Sequence, residues 1–172
     1  MQITPITAQH RQASLQLITT AFATAAHSDG HEAELVAKLR QSATYHPDYD
    51  VVALNDDGVV VGHALLSQAL VAERWPVFAL APLAVHPDWQ HRGIGSALIT
   101  YLEVQAGEDA RRGLSILGDP AYYGRFGYRP AAEWQITPPQ AWPSENFMFK
   151  ELVPGSMHGV SGTLTYDPAF GL

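Results

Sequence analysis

Apolar residues recur with two different periods along this chain, and the places where the period changes mark its elements. Ile3 and Ile6 suit a short strand over Met1–Thr7, whereas from Ala8 onward Leu15, Leu17, Ile18, Ala21 and Phe22 follow helical spacing. After Gly30, Ala33, Leu35, Val36 and Leu39 predict a second helix over His31–Gln41, with Ser28 or Asp29 as its cap. Two β-branched runs, Val51–Leu54 and Val59–Ser67, flank Asn55-Asp56-Asp57-Gly58, and the Asp-Gly step predicts a tight hairpin. Val77–Val85 reads as a third strand of this middle section. Pro82 inside it lacks an N–H, so a bulge or an unpaired edge is expected there. The order then becomes helix (Gly95–Ala106), buried strand (Leu114–Leu117) and helical turns (Pro120–Phe126) closed by Gly127. From Glu133 the runs Trp134–Ile136, Phe147–Leu152 and Gly162–Tyr166, punctuated by prolines, predict closing strands and loops. The class is α/β (α+β). With no repeat and no linker, residues 1–172 are expected to form a single domain.

Composition narrows the function. Hydrophobic residues make up 47% of the 172, enough to bury one substantial core. Ten Lys plus Arg against 17 Asp plus Glu leave a net charge of −7, which disfavours nucleic-acid and anionic-membrane partners. The absence of cysteine excludes disulfides, thiolate zinc sites and cysteine nucleophiles. No basic leader and no run of 18 apolar residues is visible, so a cytoplasmic location is expected. His27 and His31 have metal-ligand spacing but lie across Asp29-Gly30, where a helix starts rather than continues, and no metal is expected.

The chemistry concentrates in Leu83–Leu98. A strand enters a turn containing Gly93 and Gly95 and opens a helix, which aims unpaired amides and the positive end of the helix dipole at one point. A phosphate or pyrophosphate suits that point, with Arg92 adding charge and Ser96 a hydroxyl. A dinucleotide fingerprint would need glycine at Leu98, and a P-loop would need Gly-Lys-Ser/Thr; neither is present.

Gln90-His91-Arg92-Gly93-Ile94-Gly95 resembles the Gln/Arg-x-x-Gly-x-Gly/Ala signature of the GNAT superfamily of acetyl-CoA-dependent N-acetyltransferases, and follows Leu83-Ala84-Val85-His86-Pro87 at that family's spacing. Tyr122–Tyr128 resembles the family's Tyr-x-x-x-Gly-Phe helix ending. Leu117-Gly118-Asp119-Pro120 and the tail from Glu151 to Gly162 look like a bacterial subgroup of predicted N-acetyltransferases.

The resemblance implies a mixed, mostly antiparallel sheet flanked by helices and splayed at a bulge in the fourth strand, with the pantetheine arm of acetyl-CoA in the gap. It implies cofactor contacts from Leu83, Ala84, Val85, Gln90, His91, Arg92, Gly93, Ile94, Gly95, Ser96 and Tyr123. A backbone N–H near Leu83 would meet the acetyl carbonyl, and Tyr123 would protonate the departing thiolate. The family's strand glutamate is missing from Val77–Val85. That leaves Glu32, Glu34, Glu73 or His63 as base, and Glu73, before the strand, is expected to fill the role. The resemblance implies a primary amine of a small molecule, peptide or protein as the acceptor. The alternative is a non-catalytic acyl-CoA-binding or regulatory domain. Trp75, Trp134 and Trp142 are expected as core or rim packing sooner than as an acceptor pocket.

Overall fold

The Asp-Gly step turns the chain as its chemistry requires. In the computed structural model, which describes all residues except 24, 26 and 27, Gly58 sits at φ 78°. Asn55 Oδ1 accepts the N–H groups of Asp57 at 3.0 Å and Val59 at 2.8 Å. The strands so joined, β2 (Asp50–Leu54) and β3 (Val60–Val71), pair antiparallel with Val52 opposite His63, and β1 (Gln2–Pro5) pairs antiparallel with β2. The chain forms two compact units, residues 1–66 with 81–105 and residues 67–80 with 106–172.

In the first unit, helices cover both faces of this sheet. Leu17 and Ile18 of α1 (Arg11–Phe22) and Val36 and Leu39 of α2 (Glu32–Leu39) are buried, each such side chain contributing about 1.5–3 kcal/mol by leaving water. On the opposite face lies α3 (Ile94–Glu108), packed so close to β3 at Gly62 that a Cβ there would stand 2.8 Å from Ile94 Cγ2 and 3.0 Å from Leu98 Cδ1. Any side chain at that position would have to displace them.

The second unit continues β3 into β4 (Trp75–Val85), with β5 (Gly113–Leu117), β8 (Phe147–Glu151) and the two-residue β6 (Arg129–Pro130) following in spatial order. The β4–β5 ladder is parallel and consists of Phe78 with Leu114 and Ala79 with Ser115; β5 and β8 pair antiparallel along their whole lengths. β9 (Gly162–Thr165) pairs antiparallel with β3 and parallel with β7 (Ile136–Thr137). The sheet is mixed and mostly antiparallel. Val71, Val77, Phe147, Phe149 and Leu164 form the centre of this unit's core, and Trp75, Trp134 and Trp142 pack half-buried against it as rim. Pro82 follows a cis peptide bond within β4, beyond the β4–β5 ladder.

Two elements differ from the sequence expectation. Trp134 closes a 3-10 turn (Ala131–Trp134) instead of opening a strand, because Gln135 adopts a left-handed φ of 56° and breaks any extended path to Ile136. The strands expected to end at Ser67 and to start at Val77 reach further towards each other. β3 runs to Val71 and β4 starts at Trp75, joined by a turn with Ala72 at φ 52° and Glu73 at φ 54°, in which Arg74 N–H donates to Val71 C=O at 3.2 Å. Both central residues have positive φ, the pattern of a tight hairpin turn normally built from Asn and Gly. Gly162 makes room for it, since a Cβ on Gly162 would lie 2.9 Å from Ala72 Cβ, and Ala72 N–H donates to Thr163 C=O at 2.9 Å. His27, part of the histidine spacing considered for a metal, lies outside the described residues.

Candidate active site

β4 passes into α3 through a turn that its own side chains hold. His86 N–H donates to Val61 C=O at 3.0 Å, His86 Nδ1 accepts from Asp88 N–H, and Pro87–Trp89 makes one 3-10 turn. Gln90 Nε2 then reaches back to donate to Val85 C=O at 3.2 Å, tying the end of the turn to the end of the strand. His91 at φ 59° and Gly93 at φ 80° are both left-handed and flank Arg92. The first bond into the helix is Ala97 N–H to Gly93 C=O at 3.0 Å, so the amides of Gly93, Ile94, Gly95 and Ser96 are the first-turn donors that the helix cannot satisfy itself. Fifteen residues of α3 add their dipole behind them.

Space at the turn is open. A Cβ on Gly93 would meet nothing within 4 Å, and His91, Arg92 and Gly93 are exposed, while Ile94 and Gly95 are buried. The Arg92 guanidinium lies over the Trp89 ring, 5.0 Å from its centroid, which holds a positive charge beside the amides. Convergent amides, a cation and room for backbone approach fit an anionic ligand such as a phosphate or pyrophosphate. Upstream on β4, Ala84 is buried and Leu83 and Val85 are half-buried.

In the second unit, Tyr123 ends the four-residue helix α4 (Pro120–Tyr123). Asp119 caps that helix: its Oδ1 accepts Ala121 N–H at 2.9 Å and its carbonyl accepts Tyr123 N–H at 2.9 Å. Gly127, at φ 85°, ends the following turn as the motif predicts. The Tyr123 ring is half-buried, edge-on to Tyr122 at 5.0 Å and to Tyr128 at 6.0 Å. Burial, then the neighbouring Tyr122 and Asp119, push its phenol above the usual value, so it holds its proton at neutral pH. Glu73 is exposed on the strained Ala72–Glu73 turn. Glu34 is engaged elsewhere, 2.8 Å from Lys38 Nζ and 3.2 Å from His31 Nδ1, and Glu32 lies in the first turn of α2.

His63 has a different task. It is fully buried, and its Nε2 lies 2.8 Å from Asp50 Oδ1, itself fully buried. Arg40, at the end of α2, grips the same carboxylate with Nε to Oδ2 at 2.7 Å and Nη2 to Oδ1 at 3.2 Å, and also donates to Ser14 Oγ at 2.9 Å. Tyr45 donates to Asp50 Oδ2 at 2.9 Å, and burial, then the Asp50 charge and this hydrogen bond, raise its phenol to about 12. Burial alone would raise the Asp50 carboxyl, but the hydrogen bonds from His63 and Arg40 outweigh it and hold the carboxyl at about 2. Burial depresses His63, so it is neutral, with Nε2–H donating to Asp50. Sequence reading singled out His63 but missed Arg40, Tyr45 and Asp50. The available signal was an acidic residue on the same face of β2 as Val52, opposite a histidine.

Comparison with known proteins agrees with this geometry. Residues 47–130 match the model of the acetyltransferase (GNAT) domain. YhbS of Escherichia coli strain K12, described as an uncharacterized N-acetyltransferase, is 30% identical over 142 residues, 81% of this chain and 83% of its own. The crystal structure of Escherichia coli YhbS in complex with CoA superposes with a TM-score of 0.89 at 25% identity, covering 99% of this chain and 92% of that one. A GNAT family acetyltransferase from Brucella melitensis, in complex with acetyl-CoA, gives 0.80 at 28% identity over 98% and 97% of the two chains. With sequence, fold and turn geometry in accord, the chain belongs to the GNAT family of N-acetyltransferases.

Proposed function

We propose that the protein, acting as one domain in the cytoplasm, transfers the acetyl group of acetyl-CoA directly to a primary amine of a small molecule, peptide or protein. The observation that carries this reading is the turn at Gln90–Ser96, where two left-handed residues bring unsatisfied first-turn amides and Arg92 together. The two relatives solved with CoA and acetyl-CoA support it. Gly93–Ser96 amides and the side chains of His91 and Arg92 bind the phosphates, Gln90 holds the turn to β4, and the backbone of Leu83, Ala84 and Val85 hydrogen-bonds the pantetheine arm. The thioester carbonyl is the electrophile that acetyl-CoA supplies.

The amine lone pair attacks that carbonyl carbon, and the Leu83 N–H stabilises the charge developing on its oxygen. As the C–S bond breaks, the Tyr123 hydroxyl gives its proton to the thiolate. The proton lost by the attacking nitrogen goes to Glu73, directly or through water. Support for Glu73 is its exposure together with its left-handed backbone, since strained conformations gather at functional sites.

Calorimetric titration with acetyl-CoA, for the native protein and for Gly93→Trp, tests cofactor binding. Saturable binding lost in the variant is expected, and no binding by the native protein would sink the proposal. Turnover is then read as thiol release across a panel of primary amines. Because the chain has no cysteine, a thiol-reactive dye reports CoA alone. Tyr123→Phe should lose turnover and keep affinity, and Glu73→Gln should lose turnover most at low pH. Unchanged output from Tyr123→Phe would favour the non-catalytic binding domain.

A further inference from the structure

Gly118, between β5 and α4, touches the Tyr123 ring where any other residue would have a side chain. A Cβ built on Gly118 would collide with Tyr123 Cε2, would stand 2.8 Å from Cδ2 and 3.4 Å from Cζ. Its backbone does not need glycine, because its φ lies outside the left-handed range. The ring is what requires the missing side chain.

Both partners are held by their neighbours. Gly118 N–H donates to Asn146 C=O at 2.9 Å, and Asn146 Nδ2 donates to Gly118 C=O at 3.0 Å, so one residue clamps it on both sides. The next residue, Asp119, caps α4 and receives the Tyr123 N–H. Tyr122 and Tyr128 stand edge-on to the ring.

We propose that Gly118, held by Asn146, is a positioning residue for the acetyl transfer: its bare backbone is the seat of the Tyr123 ring and fixes where the hydroxyl points. The inference rests on the reading of Tyr123 as the acid.

Four proteins test it: native, Gly118→Ala, Tyr123→Phe and the double variant. Each is assayed for thiol release from acetyl-CoA with the best amine of the panel, or with water alone as acceptor, and for acetyl-CoA affinity and thermal unfolding. Gly118→Ala should lower kcat by about tenfold or more with KM for acetyl-CoA within about twofold, since small displacements of a reacting group are costly. Added to Tyr123→Phe, the same change should leave kcat within about twofold, because no hydroxyl remains to misplace. Full activity of Gly118→Ala, or an equal loss in both backgrounds, overturns the proposal while leaving the role of Tyr123 intact. Full activity of Tyr123→Phe overturns both. Should Gly118→Ala fail to fold, Asn146→Ala loosens the seat without a clash; its loss of kcat must likewise vanish in the Tyr123→Phe background, and persistence there refutes the seat.

Discussion

Replacing Asp50 by Asn removes the one negative charge at the centre of a cluster containing Arg40, His63, Tyr45 and Ser14. Two of the donors, Arg40 Nε and Tyr45 Oη, converge on Oδ2, and the other two, Arg40 Nη2 and His63 Nε2, on Oδ1. An amide offers an acceptor to only one of these pairs and turns a donor toward the other. The imidazole can change tautomer, but the guanidinium cannot, and it is left nearly buried without a counterion. Breaking such a pair from one side costs about 3–5 kcal/mol. At about 2–4 °C per kcal/mol for a chain of this size, Asp50→Asn should lower Tm by about 6 °C or more at pH 7. Acid supplies an independent arm. The native carboxyl is held at about 2 against an ordinary 3.8, a difference of about 2 kcal/mol that is present above the ordinary value and lost as pH falls toward the folded one. The gap in Tm between native and variant should therefore close below about pH 4. A shift under about 2 °C at pH 7, or a gap independent of pH between 6 and 3, would show that the carboxylate does not organise the cluster.

Three further outcomes follow from other contacts. His63 is kept neutral by burial, so below its ordinary 6.5 the unfolded chain takes up a proton that the folded one refuses, and stability falls with falling pH; His63→Gln should flatten Tm against pH between 7 and 5.5, and an unaltered slope would assign it to other groups. Gly62→Ala pushes a methyl into Ile94, Leu98 and Ala53, 3.2 Å or less from each, and should cost about 1–3 kcal/mol in urea unfolding; a neutral result would mean that α3 shifts freely. Gln90→Ala removes only the bond to Val85 and should raise the Kd for acetyl-CoA about threefold with kcat unchanged, whereas a rise of about a hundredfold would mean that Gln90 grips the ligand itself.

What the sequence disclosed was local. The Asp-Gly hairpin, the turn at Gln90–Gly95 and the Gly127 stop are each written within a few residues, so pattern and conformation coincide. The Ala72–Glu73 turn was hidden because the signal for it sits about ninety positions away, in the glycine at 162 that gives Ala72 its space. The Asp50 cluster was hidden for the same reason. Arg40 stands near the end of the predicted second helix and Tyr45 between predicted elements, and only the strand pairing of β2 and β3 puts Asp50 and His63 on one face. Tyr123 was legible as a motif, but the bare face of Gly118 against which it lies depends on side-chain direction, which no spacing encodes.

The two compact units interleave along the chain: the first takes residues 1–66 and 81–105, and the second takes the stretch between them and everything after. The chain passes from one to the other three times, so neither unit exists as a contiguous fragment. During synthesis the first cannot complete its fold until residue 105 has emerged, by which time β3 and β4 still await β9 and β5, the neighbours that the later chain supplies. Cutting the gene anywhere between 66 and 106 yields two halves that each lack strands belonging to the same core. For splitting or fusion, a cut inside 67–105 therefore divides both units at once.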